Sequence, residues 1–411
     1  MCNYFYNSNF KQGKIIVTLH KNFIYSDLPS PSSSPTEYIS RILDGIDFER
    51  VKIIFRPVKI NDEDNIGGII SVYLKNKEKS AVIDAINKLL ADPDVIYAEP
   101  DYLAEAYIIP NDPYFNYLWG MQKIKAPLAW NYTTGNAGIV VGVADSGIDY
   151  NHPDIKENMW MPADGRYKNG WNFVSNSNNS RDLSGHGTHV AGTICAVGNN
   201  HIGVTGVCWN LKAASLKIGN TLMELAAAIE SVDFANRNNI FILNNSWGGR
   251  FYSPSLKYAI EQYKGLYIAA AGNSGANNDL FPVYPASYDS DNIISVAASN
   301  PDDGLTSFSN YGVKSVDIAA PGVDIFSLSL QGAYSYANGT SMAAPHVAGA
   351  AALLKSYAPF LTVLEIKDII LCSSDKHPEL EKKILTGGIL NVDSMIETAN
   401  TFVSKTKRRR C

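Results

Sequence analysis

Cysteine is scarce in this chain and scattered: Cys2, Cys195, Cys208, Cys372 and Cys411. An odd count without Cys-x-x-Cys spacing excludes a disulfide framework and a thiolate zinc site. One bridge within Cys195–Cys208 stays open, and free thiols are the simpler reading. Basic residues are not in excess either. The formal net charge of −5 lacks the electrostatic footprint of a general nucleic-acid binder. Only the tail K-T-K-R-R-R-C (Lys405–Cys411) is basic; it reads as a solvated end and lacks the C-a-a-X order for prenylation. Long apolar runs are also missing. The longest, Met342–Leu354, carries Pro345 and His346 and is too short to cross a bilayer, so no transmembrane segment is expected. The first residues, M-C-N-Y-F-Y-N-S-N-F-K, lack a basic start followed by an apolar core, and no conventional signal peptide is visible.

What is present is enough apolar surface for a sizeable core. Hydrophobic residues make up 45% of 411 and charged ones 18%, and this length predicts two domains. The first hundred residues read as β-α-β-β-α-β. Strands are expected at Lys14–His20, Val51–Phe55, Ile69–Leu74 and Val95–Ala98, with helices at Thr36–Asp44 and Lys79–Ala91 and a Pro/Ser-rich loop at 26–35. That order fits a small α+β, ferredoxin-like sheet with helices on one face. From about Asn111 the texture becomes α/β. The continuous apolar run Ile139–Ala144 reads as a parallel strand buried on both faces, and further strands are expected at Ala213–Ile218, Ile240–Ser246, Leu266–Ala271, Ile293–Ala298 and Val316–Ala320. Helical stretches between them predict a three-layer, doubly wound, mostly parallel sheet, whose ligands bind at the strands' carboxyl ends.

The first of these strands ends in D-S-G-I-D, which puts Asp145 at that edge. Alone, such an aspartate serves equally as metal ligand, helix cap or turn residue. Farther on, S-G-H-G-T-H-V-A-G-T-I places His186 between two glycines at a helix start, free to present its imidazole. The stretch N-G-T-S-M-A-A-P-H-V-A-G puts Ser341 at the start of an alanine-rich helix. A serine hydroxyl attacks only when a base takes its proton, and a buried carboxylate holds an imidazole in the tautomer that does so.

These three segments, in the order acid, base, nucleophile, resemble the motifs of the subtilisin-like serine proteases (subtilases), and the likeness spans nearly the whole chain. That order is a known signature of the family. The resemblance implies a serine endopeptidase with Asp145 orienting, His186 as general base and acid, and Ser341 as nucleophile. In A-A-A-G-N-S-G it implies that Asn273 donates to the oxyanion beside the Ser341 N–H. It implies a substrate edge at Ser246, Trp247 and Gly248, a facing wall at Ala270, Ala271 and Gly272, and a pocket base narrowed by Val283. No acidic residue at these positions favours a basic substrate residue.

Two further implications concern metal and self-inhibition. G-N-N-H-I-G-V-T-G-V (Gly198–Val207) reads either as a solvated loop or, by resemblance, as a calcium loop. Asp112, Asp154 and Asn200 would then supply side chains, and Val197, Ile202 and Val204 carbonyls. By the same resemblance residues 1–107 are an inhibitory propeptide removed between Tyr107 and Ile108. Residues 108–400 are then the catalytic domain and 401–411 a disordered tail. Protein or peptide substrates, a monomer after maturation, and a secreted, cell-surface or lumenal location follow, with a cytoplasmic one as the alternative. A catalytically silent relative that only binds would need one motif residue replaced, and none is.

Overall fold

The computed structural model describes residues 10–20, 37–55, 66–103, 108–162 and 164–408. The Pro/Ser-rich loop, Tyr107 and the last three residues lie outside them. The chain divides into two compact units, Met1–Glu105 and Ala106–Cys411.

In the first unit β1 (Phe10–His20), β2 (Phe48–Phe55), β3 (Ile66–Leu74) and β4 (Val95–Tyr102) form an antiparallel sheet in the order β2-β3-β1-β4. Helices Glu37–Ile42 and Lys79–Leu89 contribute Ile39, Ile42, Val82, Ile86 and Leu89 to one core with Ile15, Val17, Leu19, Ile70 and Val72. The alternation of buried and exposed residues along β1 and β4 is what a sheet covered on one face requires.

The second unit is built on nine strands: β5 (Gly135–Asp145), β6 (Gly170–Asn172), β7 (Asn210–Lys217), β8 (Ile242–Asn245), β9 (Leu266–Ala270), β10 (Ile293–Ser299), β11 (Ile318–Pro321), β14 (Asp375–Lys376) and β15 (Gly388–Ile389). Their order is β14-β15-β11-β10-β9-β8-β5-β7-β6, and every pairing is parallel except β14 with β15. β8, β9 and β10 are buried at every position, as strands covered on both faces must be. The hairpin of β12 (Ile325–Leu328) and β13 (Tyr334–Ala337) stands apart from this sheet, and its short strands carry no apolar run that would announce them. The helix Thr340–Tyr357 is buried from Thr340 to Leu354 apart from Ser341. It belongs to the core that also holds Val143, Ile242, Ile268 and Val296. The closing helix, Val392–Arg408, runs into the segment read as a solvated tail.

Candidate active site

Parallel pairing sets the geometry of the site. Val143 of β5 lies opposite Asn244 of β8, and Asp145 opposite Lys217 of β7. Asp145, fully buried, therefore stands at the carboxyl edge one strand away from Ser246, which directly follows β8. Its Oδ1 accepts from the Ser146 N–H at 2.7 Å and from Nδ1 of His186 at 2.8 Å.

His186 opens the helix His186–Cys195. The two flanking glycines have different duties. Gly185 takes the left-handed cap position, at φ 92°, where an L side chain is strained. At Gly187 a Cβ would lie 2.1 Å from the Gly147 carbonyl and 3.2 Å from Asp145 Oδ1. The helix can press against the aspartate only because that atom is missing. Burial pushes the imidazole's affinity for a proton down, but the charge and hydrogen bond of Asp145, with the charge of Asp182, bring it above the ordinary histidine value. With Nδ1 donating to Asp145, the lone pair of the neutral ring sits on Nε2, as a base requires.

Ser341 is the second residue of its helix, after Gly339 at φ 147°. Its Oγ donates to the main-chain carbonyl of Ser246 at 2.9 Å, and Ser246 Oγ donates to the Ser341 carbonyl, also at 2.9 Å. The hydroxyl thus rests on the edge of β8 rather than on His186. Asn273 follows β9. Its Oδ1 accepts from the N–H and the hydroxyl of Thr340, at 2.8 and 2.9 Å. That fixes the amide with Nδ2 turned toward Gly339, whose missing Cβ would lie 3.3 Å away.

Beyond Ser246 the chain leaves the strand, and Trp247 and Gly248 take no main-chain partner among the described residues. Gly249 then pairs with Tyr284. Across from this edge, Ala270 and Ala271 are buried and Gly272 is at φ 110°. The two methyls of Val283 lie 3.0 and 3.5 Å from where a Cβ would stand on Gly248 and Gly272. Val283 therefore lies between these two segments. The segment after β7 folds back tightly, with Gly219 bridging Met223 and Leu222 exposed at the tip.

The loop at 197–204 closes around Asp154. Val204 N–H and the Asn200 amide donate to its two oxygens at 2.9 Å, and the Tyr334 hydroxyl reaches Oδ2 at 3.3 Å. Asp112 accepts from Asn199 N–H at 2.7 Å and Asn200 N–H at 3.3 Å. Both carboxylates are buried. Burial raises Asp112, and burial together with the charge of Asp112 pushes Asp154 up to about 7. Val197 donates its N–H to the Asp154 carbonyl, and Ile202 its N–H to Asn200 Oδ1. No group of three or more His, Cys, Asp or Glu that could hold a metal occurs among the described residues. His201 is exposed, against Asn111.

Cys195 and Cys208 are buried free thiols, and burial pushes Cys208 up to about 12 and Cys195 higher still. Sequence reasoning missed the polar frame behind the histidine: Ser146, Asp182 and Lys217, all buried. Its one linear signal is an aspartate four residues ahead of His186.

The subtilase family model matches residues 136–391. The chain belongs to the subtilase family. The thermophilic serine proteinase of Bacillus sp. (strain AK1) is 38% identical over 326 residues, 77% of this chain and 76% of that protein. Subtilisin E of Bacillus subtilis (strain 168) is 38% identical over 291 residues, 69% of this chain and 71% of its own length. A solved structure described as proteases from Pseudoalteromonas arctica is 28% identical. It covers 71% of this chain and 99% of its own, with a TM-score of 0.63. This subtilase is a serine endopeptidase with the three-layer α/β fold of its family. No helix among its described residues is long and apolar enough to cross a membrane.

Proposed function

We propose that this subtilase cleaves peptide bonds through an acyl-enzyme formed on Ser341, with His186 as base and Asp145 as its orienting acid. The observation that carries the reading is the 2.8 Å bond from His186 to a fully buried carboxylate. A substrate strand lying along Ser246–Gly248 would compete for the Ser246 carbonyl, and the freed hydroxyl would then be available to Nε2. Attack on the scissile carbonyl passes the hydroxyl proton to His186. The oxyanion receives hydrogen bonds from Asn273 Nδ2 and from the Ser341 N–H at the open helix start. His186 then protonates the leaving amine, and water repeats the sequence to release the acid. Val283 leaves room for a small or medium apolar residue before the cut.

Residues 1–107 act as an inhibitory propeptide in this reading, released by self-cleavage near Tyr107 and Ile108, of which Ile108 is exposed. What supports calcium at the loop around Asp154 is a pair of buried carboxylates with no Lys or Arg ion pair among the described residues; the N–H groups of Asn199, Asn200 and Val204 that now donate to them would have to give way to an ion. Asp112, Asp154 and Asn200, with carbonyls of Val197, Ile202 and Val204, would hold the ion, which would neutralise the carboxylates and brace the loop. Calcium should raise the melting temperature of the wild type and not of Asp154→Asn. Export from the cytosol follows the habit of the family.

Ser341→Ala tests the main reading. The variant should fold, stay full length and hydrolyse no peptide; normal maturation of the purified variant would refute it.

A further inference from the structure

Behind the Asp145–His186 pair lies a second buried carboxylate that the reaction as described does not use. Asp182 is 2% exposed and spends both oxygens on the two segments that carry the pair. One oxygen accepts from Ser146 Oγ at 2.9 Å, Ser184 N–H at 2.9 Å and Gly185 N–H at 3.0 Å. The other accepts from the N–H and hydroxyl of Thr188 at 2.9 and 2.7 Å. Ser146 completes the ring. Its N–H serves Asp145, and its hydroxyl oxygen accepts from Gly187 N–H at 2.9 Å.

We propose that Asp182 is a positioning residue for the His186 base. Its carboxylate clamps the helix start that bears His186 to the turn that bears Asp145, and its charge joins that of Asp145 in stabilising the imidazolium. The assignment rests on His186 being the base.

The surroundings support a persistent charge. Burial would raise Asp182, but the bonds from Thr188, Gly185 and Ser184 hold it below the ordinary carboxylate range. The charged and titratable groups around the imidazole are few. Asp145 comes from β5, and Asp182 from the loop before the helix. His189, one turn on, is held neutral by burial, which lowers it to about 4. Lys217, at the end of β7, donates to the carbonyls of Ser146 and Arg181 at 2.8 and 3.0 Å. Its cation faces Asp182 and offsets part of that anion's influence. Arg181 is exposed and paired with Asp149.

The test is an NMR titration of the His186 imidazole in full-length Ser341→Ala, with and without Asp182→Asn, which requires no activity. Loss of one nearby buried charge should lower the midpoint by about half a unit to one unit. In the active enzyme the acidic limb of kcat/KM should move down by the same amount, with KM within about twofold. Ser146→Ala keeps both carboxylates and removes the hydroxyl between them. It should leave the midpoint in place and broaden the downfield Nδ1–H signal of His186, and it decides the matter if Asp182→Asn does not fold. A folded Asp182→Asn with an unmoved midpoint, or a Ser146→Ala signal identical to the parent, overturns the proposal. A midpoint that shifts in a protein whose wild type cuts no peptide would instead count against the catalytic reading alone.

Discussion

Ser246 and Ser341 exchange hydrogen bonds, each hydroxyl donating to the other's main-chain carbonyl at 2.9 Å. The reason lies four residues downstream. In an unbroken helix the N–H of residue 345 would bond the Ser341 carbonyl, but residue 345 is proline and has no N–H to give. Ser246 supplies the missing donor, so the proline inside the helix leaves Ser341 tied to the residue that follows β8. Ser246→Ala should cost about 1–2 kcal/mol in urea unfolding, because it strands a carbonyl. Adding Pro345→Ala, which restores the N–H, should recover part of that loss. A double variant no more stable than the single one would contradict this account.

Asn273 is aimed by Thr340 and not by any group that a substrate replaces. Asn273→Ala should therefore lower kcat by about 10²–10³, the loss known for removing this kind of donor from a subtilisin, with KM little changed. Steady-state kinetics on a peptide anilide decide it; an equal rise in KM would mean that the amide binds substrate and transition state alike.

Val283 presents its methyls to Gly248 and Gly272. Val283→Gly should raise kcat/KM for an aromatic residue before the scissile bond by about 10-fold, and lower it for alanine or valine. Profiling the pair on one peptide library measures both changes at once.

His346 is fully enclosed in the central helix, and burial lowers it to about 4. The unfolded chain takes up that proton near pH 6.5. Stability from this residue is therefore complete above about pH 6.5 and is lost as pH falls toward 4, by about 3 kcal/mol. Asp154, raised to about 7, works in the opposite direction, so the useful quantity is a difference. Between about pH 7.5 and 4 the wild type should lose about 3 kcal/mol more than His346→Gln in urea unfolding. Parallel losses in the two proteins would contradict the prediction.

Most of the architecture and the three motif residues were legible because each signal is local. A buried parallel strand declares itself as an apolar run such as Ile139–Ala144, and a helix-start serine by the glycine before it. The polar frame was not legible. Ser146 and Asp182 are 36 residues apart, and Ser246 and Ser341 are 95 apart. Such pairings depend on strand register that no single segment encodes. The hairpin of β12 and β13 escaped for a related reason: its strands are short, each is interrupted by a serine, and it pairs with itself away from the main sheet. The Cys195–Cys208 bridge left open by the sequence is not formed, and both thiols are free.

The most direct measurement is labelling of the matured protein with a fluorophosphonate probe, followed by peptide mapping of the adduct. The account predicts one adduct, on Ser341, that disappears in His186→Ala although that variant remains folded. An unlabelled wild type, or an adduct on any other serine, would contradict it.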